Sequence, residues 1–126
     1  MMATVDIAIP SFQALAATGQ VVALITQPDR PVGRHMELTP PRVKVVAEQP
    51  GIPVFQPEKM REATAVEQLR AYEPDIVVVM AYGQILSQEV IDVAKKACIN
   101  APLTFSGTRI VKINFMKTVP ICITCR

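Results

Sequence analysis

Asp75 to Leu86 reads DIVVVMAYGQIL. The run from Ile76 to Met80 is apolar and mostly β-branched, too short for a stable helix and closed by Gly83. Such a run predicts a strand covered on both faces, the kind a parallel sheet buries. Upstream, REATAVEQLRAY (Arg61 to Tyr72) places Ala65, Leu69 and Tyr72 on one stripe, with Glu67, Arg70 and Arg61 on the wet side, which predicts a helix. Downstream, Ser87 stands where it caps QEVIDVAKKA, whose Val90, Ile91 and Ala94 form an apolar face, and CIN (Cys98 to Asn100) follows as a second strand. Strand, helix, strand in this order implies right-handed crossovers and a parallel sheet with helices on both faces.

The first half of the chain has the same rhythm. Pro10 to Thr18 predicts a short helix, with proline in its first turn, Phe12, Leu15 and Ala16 on one face, and Gly19 as its stop. VVALIT (Val21 to Thr26) predicts a buried strand, PRVKVVAEQ from Pro41 a helix with Thr39 or Pro40 near its cap, and IPVF a short strand. Between them, QPDRPVGRHMELTPPRVK (Gln27 to Lys44) is crowded with proline and predicts a loop without regular structure. Connections of that length are usually functional or disordered. Ligands of open α/β sheets bind beyond the carboxyl ends of the strands. One rim therefore carries the loop from Gln27, the AYGQIL stretch from Ala81, and whatever follows Asn100.

The bulk composition is that of a globular domain. The 126 residues are 50% apolar and 19% charged, and the net charge of +2 is too small to imply nucleic-acid binding by itself. MMATVDIAIP lacks the basic start of a signal peptide, and the apolar run ending at Tyr82 is far below the roughly 20 residues a membrane helix needs. The three cysteines form no disulfide framework, which suits a reducing cytoplasm.

Candidate chemistry is sparse. The glycines at 19, 33, 51, 83 and 107 form neither a GxGxxG nor a P-loop pattern, which leaves nucleotide binding without support. His35 sits in the proline-rich loop with no nucleophile in a recognisable setting nearby, and reads as an exposed loop residue. Cys122 and Cys125 have CxxC spacing but no second pair, so a zinc or redox role is less expected than coincidence. Arg30, Arg34, Arg42 and Lys44 either clamp phosphates or form a solvated loop. Asn100 either donates a hydrogen bond to a developing oxyanion or caps a turn at the end of its strand.

Several irregular segments agree with one family in order and spacing. TQPDRPVGR, then LTPPRVK, GIPVFQPEK, DIVVVMAYGQIL and CIN closely resemble the N-terminal domain of the methionyl-tRNA formyltransferase family, and MATVDIAIPSFQAL resembles its first turn and helix. The likeness covers Met2 to Asn100. It implies a Rossmann-like domain followed by a barrel-like C-terminal domain. It also implies transfer of a formyl group from 10-formyltetrahydrofolate to the amino group of methionyl-initiator tRNA in translation initiation, with no metal. A cytoplasmic, bacterial-type or organellar monomer is expected. The resemblance assigns the loop cations, Arg34 above all, to the tRNA acceptor arm. Ala81, Tyr82, Gly83, Gln84, Ile85 and Leu86 become the wall of the folate site, and Asn100 the catalytic asparagine.

The sequence departs from the pattern at both ends. Pro102 stands where the family has its catalytic histidine, and the segment after it bears no likeness to the family, whose catalytic aspartate lies further on. Residues 1–100 therefore read as a partial formyltransferase domain, and 101–126 as a divergent tail, expected to be out-of-frame translation. At the start, the family has a strand before the turn where this chain begins. The sheet is expected to lack that first strand through a start codon called late, and to lack the C-terminal domain. Although RIVKINF and VPICIT have strand-like patterning, their joining a vacant edge is not expected, because a parallel join demands a crossover. The alternatives are a non-catalytic remnant, or another folate-dependent formyltransferase such as one acting on an amino-sugar nucleotide.

Overall fold

The computed structural model describes residues 1–101 and the backbone of 114–118; Pro102, Cys122 and Cys125 lie outside the described residues. In chain order the elements are β1 (Met2–Ala3), a 3-10 turn (Asp6–Ala8), α1 (Ile9–Ala17), β2 (Leu24–Ile25), β3 (Arg30–Val32) and β4 (Glu37–Thr39). After them come α2 (Arg42–Glu48), β5 (Val54–Phe55), α3 (Ala63–Ala71), β6 (Ile76–Met80), α4 (Gln88–Val93), β7 (Ala97–Asn100) and β8 (Asn114–Thr118). The main sheet has the order β5-β2-β1-β6-β7-β8, and the first five of these strands are parallel. This is the Rossmann-like α/β architecture that the sequence implied.

Alternation along the strands builds two cores. Phe12 of α1 and Val43 and Ala47 of α2 pack on Ala3 and Leu24 on one face. Leu69 of α3 and Val90 and Ile91 of α4 pack on Met2, Ile25, Val77, Val79 and Cys98 on the other. Successive residues of a strand point to opposite faces, so Met2 and Ala3 each anchor a different core. Both are fully buried.

Those two residues bear on the expected missing strand. The central position between β2 and β6 is held by β1. Met2 pairs with Ile25 and Val79, and Ala3 with Met80. Met1 extends the contact, its amino nitrogen donating to Ala23 O at 2.9 Å and its carbonyl accepting from Ile25 N at 2.8 Å. Burial on both sides lets so short a strand hold the centre.

Two further expectations are corrected. The proline-rich stretch is not structureless, because β3 and β4 form an antiparallel hairpin pairing Arg30 with Thr39, Pro31 with Leu38 and Val32 with Glu37. A proline fits a ladder only where its missing N–H is not needed, and Pro31 falls between the two outer pairs. Gly33 (φ +78°) and Met36 (φ +50°) turn the chain, with Met36 N donating to Gly33 O. At the other end of the sheet, Asn114–Thr118 joins the β7 edge. It runs antiparallel, with a bulge between Cys98 and Ile99, so the crossover that made a parallel join unattractive is not required.

Helix boundaries shift slightly. α4 stops at Val93 because Ala94 is extended (ψ 124°), and Ala97 begins β7 rather than ending the helix. Ser87 holds the N-cap position without a side-chain capping bond, and its Oγ is buried with no hydrogen-bond partner.

Candidate functional site

The chain runs outward from β1 through β2 to β5 and then returns to build β6 and β7 on the other side. The strand order therefore reverses between β1 and β6, where such sheets open a crevice beyond their carboxyl ends. Three polar groups meet there. Thr4, directly after β1, donates through Oγ1 to Tyr82 O at 2.8 Å. Gln27, two residues past β2, donates through Nε2 to the same carbonyl at 2.9 Å, and its own N–H donates to Thr4 Oγ1 at 3.3 Å. The ends of β1, β2 and β6 are thereby tied together.

The tie extends to the hairpin base. Gln56, just after β5, donates through Nε2 to Gln27 O at 2.9 Å and to Asp29 Oδ1 at 2.7 Å. Lys44 Nζ reaches both oxygens of Asp29 at 3.1 Å. The Gln56 amide first, and then Lys44, hold the Asp29 carboxyl below its ordinary range. Arg42 pairs with Asp6 at 3.1 Å on the exposed rim.

A cleft of about 410 Å³ opens between the hairpin, the 3-10 turn and Gly83. It brings together Arg30, Arg42, Ala81, Tyr82 and Gly83 among the residues singled out in the sequence, and does not include Arg34, Lys44 or Asn100. Arg34 is exposed at the hairpin turn, as is His35. Of the loop cations, Arg30 and Arg34 have no ion-pair partner among the described residues, whereas Lys44 is engaged in the fold and Arg42 in the rim bridge. Asn100 pairs with Val79 across the sheet, so it lies at the carboxyl end of β7 on the face that carries Cys98.

The AYGQIL wall divides by side chain. Tyr82 is 2% exposed; its ring belongs to the core, and burial pushes its phenol up to about 12. Gln84 turns toward the loop after β5, accepting from Met60 N at 2.8 Å and donating to Glu58 O at 3.1 Å. Leu86 packs on the core. What faces outward is the backbone around Ala81 and Gly83 and the side chain of Ile85, which is 84% exposed. Gly83 has φ +82°, and a Cβ there would overlap Gln27 Nε2. A flat heterocycle laid on this wall would meet main chain and one aliphatic side chain, which suits an aromatic plate. Among the described residues no group of three or more His, Cys, Asp or Glu is placed to hold a metal ion, and no helix is long and apolar enough to cross a membrane.

Residues 7–105 match the family model described as formyl transferase. The chain belongs to that family. Over 100 residues it is 57% identical to the methionyl-tRNA formyltransferase of Akkermansia muciniphila and 55% to that of Magnetococcus marinus. The methionyl-tRNA formyltransferase of Geobacter metallireducens is 49% identical over the same length. Each alignment covers 79% of this chain and 32% of the relative, so the chain spans about a third of the length of the curated relatives it matches. Within the formyl transferase fold, sequence reasoning missed Thr4, Gln27, Asp29 and Gln56. The available signal was their position, since polar residues just past a strand's carboxyl end are the ones a crevice collects.

Proposed function

We propose that this domain is the donor-binding part of a methionyl-tRNA formyltransferase, acting in the cytoplasm on methionyl-initiator tRNA with 10-formyltetrahydrofolate as formyl donor. The observation that carries the reading is the identity of roughly half to the curated enzymes over 100 residues. In the reaction the neutral amine attacks the formyl carbon, a new C–N bond forms, the bond to N10 of the folate breaks, and the amine proton passes to N10. The Asn100 amide donates a hydrogen bond to the oxyanion of the tetrahedral intermediate. The exposed wall at Ile85 seats the pterin, and Arg30 and Arg34 meet tRNA phosphates as a monomeric enzyme docks its substrate.

Pro102 occupies the position at which the resemblance calls for a histidine, and proline carries no base. We therefore propose that the 126-residue polypeptide is a catalytically silent fragment, with 101–126 read out of frame. Formyl transfer to methionyl-initiator tRNA by the purified chain is expected to stay at the level of a heat-killed control; transfer above it refutes the inactivity. In the genomic DNA, another reading frame after the Asn100 codon is expected to encode Val-His followed by a Ser-Leu-Leu-Pro-like segment, and its absence sinks the frameshift.

A further inference from the structure

At the end of the sheet opposite the rim, β1 stops short of its neighbours. Met2 is level with Ile25 and Val79, and Ala3 with Met80, which puts Met1 level with Leu24 and Val78. Below Met1, the segment entering β2 (Val22 and Ala23) and the start of β6 (Ile76 and Val77) border an open slot of about 300 Å³. β6 pairs with β7 from Ile76 to Val79, but on the slot side only Val79 and Met80 have a partner. Strands that flank a third stand two spacings apart, about 9–10 Å, so the slot is one strand wide. Leu15 and Thr18, at the end of α1, wall it on one face, and Leu69 and Tyr72 on the other. At its mouth Val22 is 53% and Ile76 49% exposed. Unpaired strand edges of this kind are templates for an added strand.

The Met1 amino group stands at the inner end of the slot. It donates one hydrogen bond, to Ala23 O at 2.9 Å, and has no carboxylate partner among the described residues. No Asp, Glu, Lys, Arg or His lines the slot, and Tyr72 is the only other titratable group there. An apolar slot between two parallel strands, ending on a lone amine, complements a chain that is extended, apolar and anionic at its leading end. We propose that the slot between β2 and β6 captures the carboxyl terminus of an extended, β-branched peptide of another protein as a parallel strand, its carboxylate meeting the Met1 amine. Side-chain alternation sets what is read. Met2 faces the core that holds Leu69, so the last residue of the peptide, level with Val77, falls on that face against Leu69 and Tyr72. The residue before it lies on the other face, against Leu15 and Thr18.

Calorimetric titration of the 126-residue chain with acetyl-Lys-Lys-Thr-Ile-Val, as the free acid and as the carboxyl-terminal amide, tests the proposal. The free acid is expected to bind about tenfold tighter, the scale of one charge-assisted hydrogen bond. Burial pulls the Met1 amine down to about 6. A carboxylate beside it favours the charged form, so binding of the acid at pH 7 takes up close to one proton, seen as a heat that varies with the buffer's ionisation enthalpy. A chain extended by Met-Ile-Val ahead of Met1 fills the slot itself and is expected to lose peptide binding while still melting cooperatively. Equal affinity of acid and amide, no binding of either, or binding that survives the extension overturns the proposal. Dimerisation of the unextended chain that the extension abolishes overturns it too, and gives the slot to a second copy.

Discussion

Tyr82 shows how a residue can stand in a site segment and serve the fold instead. Its carbonyl accepts from Thr4 and Gln27, its ring is buried, and its hydroxyl has no hydrogen-bond partner. An unpaired buried hydroxyl costs about 1–3 kcal/mol, so Tyr82→Phe is expected to raise urea-unfolding stability by about 1 kcal/mol. Because burial raises the phenol from 10.0 to about 12, the folded state holds that proton more tightly than the unfolded chain. The associated stability is complete below pH 10 and is lost as pH rises toward 12, which a 295 nm titration run beside circular dichroism will follow. One residue on, Gly83→Ala forces a left-handed alanine and makes Gln27 release the Tyr82 carbonyl. A loss of about 2–3 kcal/mol in chemical denaturation is expected, and a change below 0.5 kcal/mol (roughly the scatter of surface substitutions) contradicts it.

At the scale of elements, the hairpin is the segment whose behaviour the tertiary contacts set. Its base is locked by Asp29, Lys44 and Gln56, so Lys44 is committed to the fold while Arg34 stands exposed at the turn. The Asp29 carboxyl sits below its ordinary value of 3.8, hence the lock is complete above that pH and weakens as pH falls through the lowered value. Limited proteolysis within residues 30–41 is expected to accelerate in Lys44→Ala at neutral pH, with Arg34→Ala cut no faster than the wild type. In RNA-binding titrations, Arg34→Ala lowers the salt slope by about one, and an unchanged slope removes Arg34 from the phosphate contacts.

For the molecule as a whole, the open question is how a sheet with a two-residue centre and an added antiparallel edge holds together. Five parallel strands with helices on both faces account for the two cores, and β8 covers the β7 edge. Deleting residues 102–126 is expected to cost on the order of 2 kcal/mol, a few net hydrogen bonds, and to promote association through the uncovered edge. Unchanged stability and a monodisperse sedimentation profile disprove that role for the edge strand. Much of this architecture was legible in the residues, because β-branched runs, amphipathic stripes and Gly19 and Gly51 are local signals that tertiary context left intact. Pairing partners were not: Pro31 reads as a breaker in isolation, and the β3–β4 ladder tolerates it only at its particular register.

The candidate site divides in the same way. Residue order alone determined the helices, the parallel strands β2, β5, β6 and β7, and the rim on which Ala81–Leu86 and Asn100 fall, since these follow from short-range pattern and the handedness of crossovers. The irregular segments carried the resemblance to the family. Only the tertiary structure decided that Gln84 faces inward and Ile85 outward, and that Lys44 is bound to Asp29 while Arg34 stands exposed. Met2–Ala3 holding the centre of the sheet was settled there as well. Those outcomes depend on which groups meet across distant parts of the chain, and a side chain's partner is chosen by burial and geometry that no local pattern encodes.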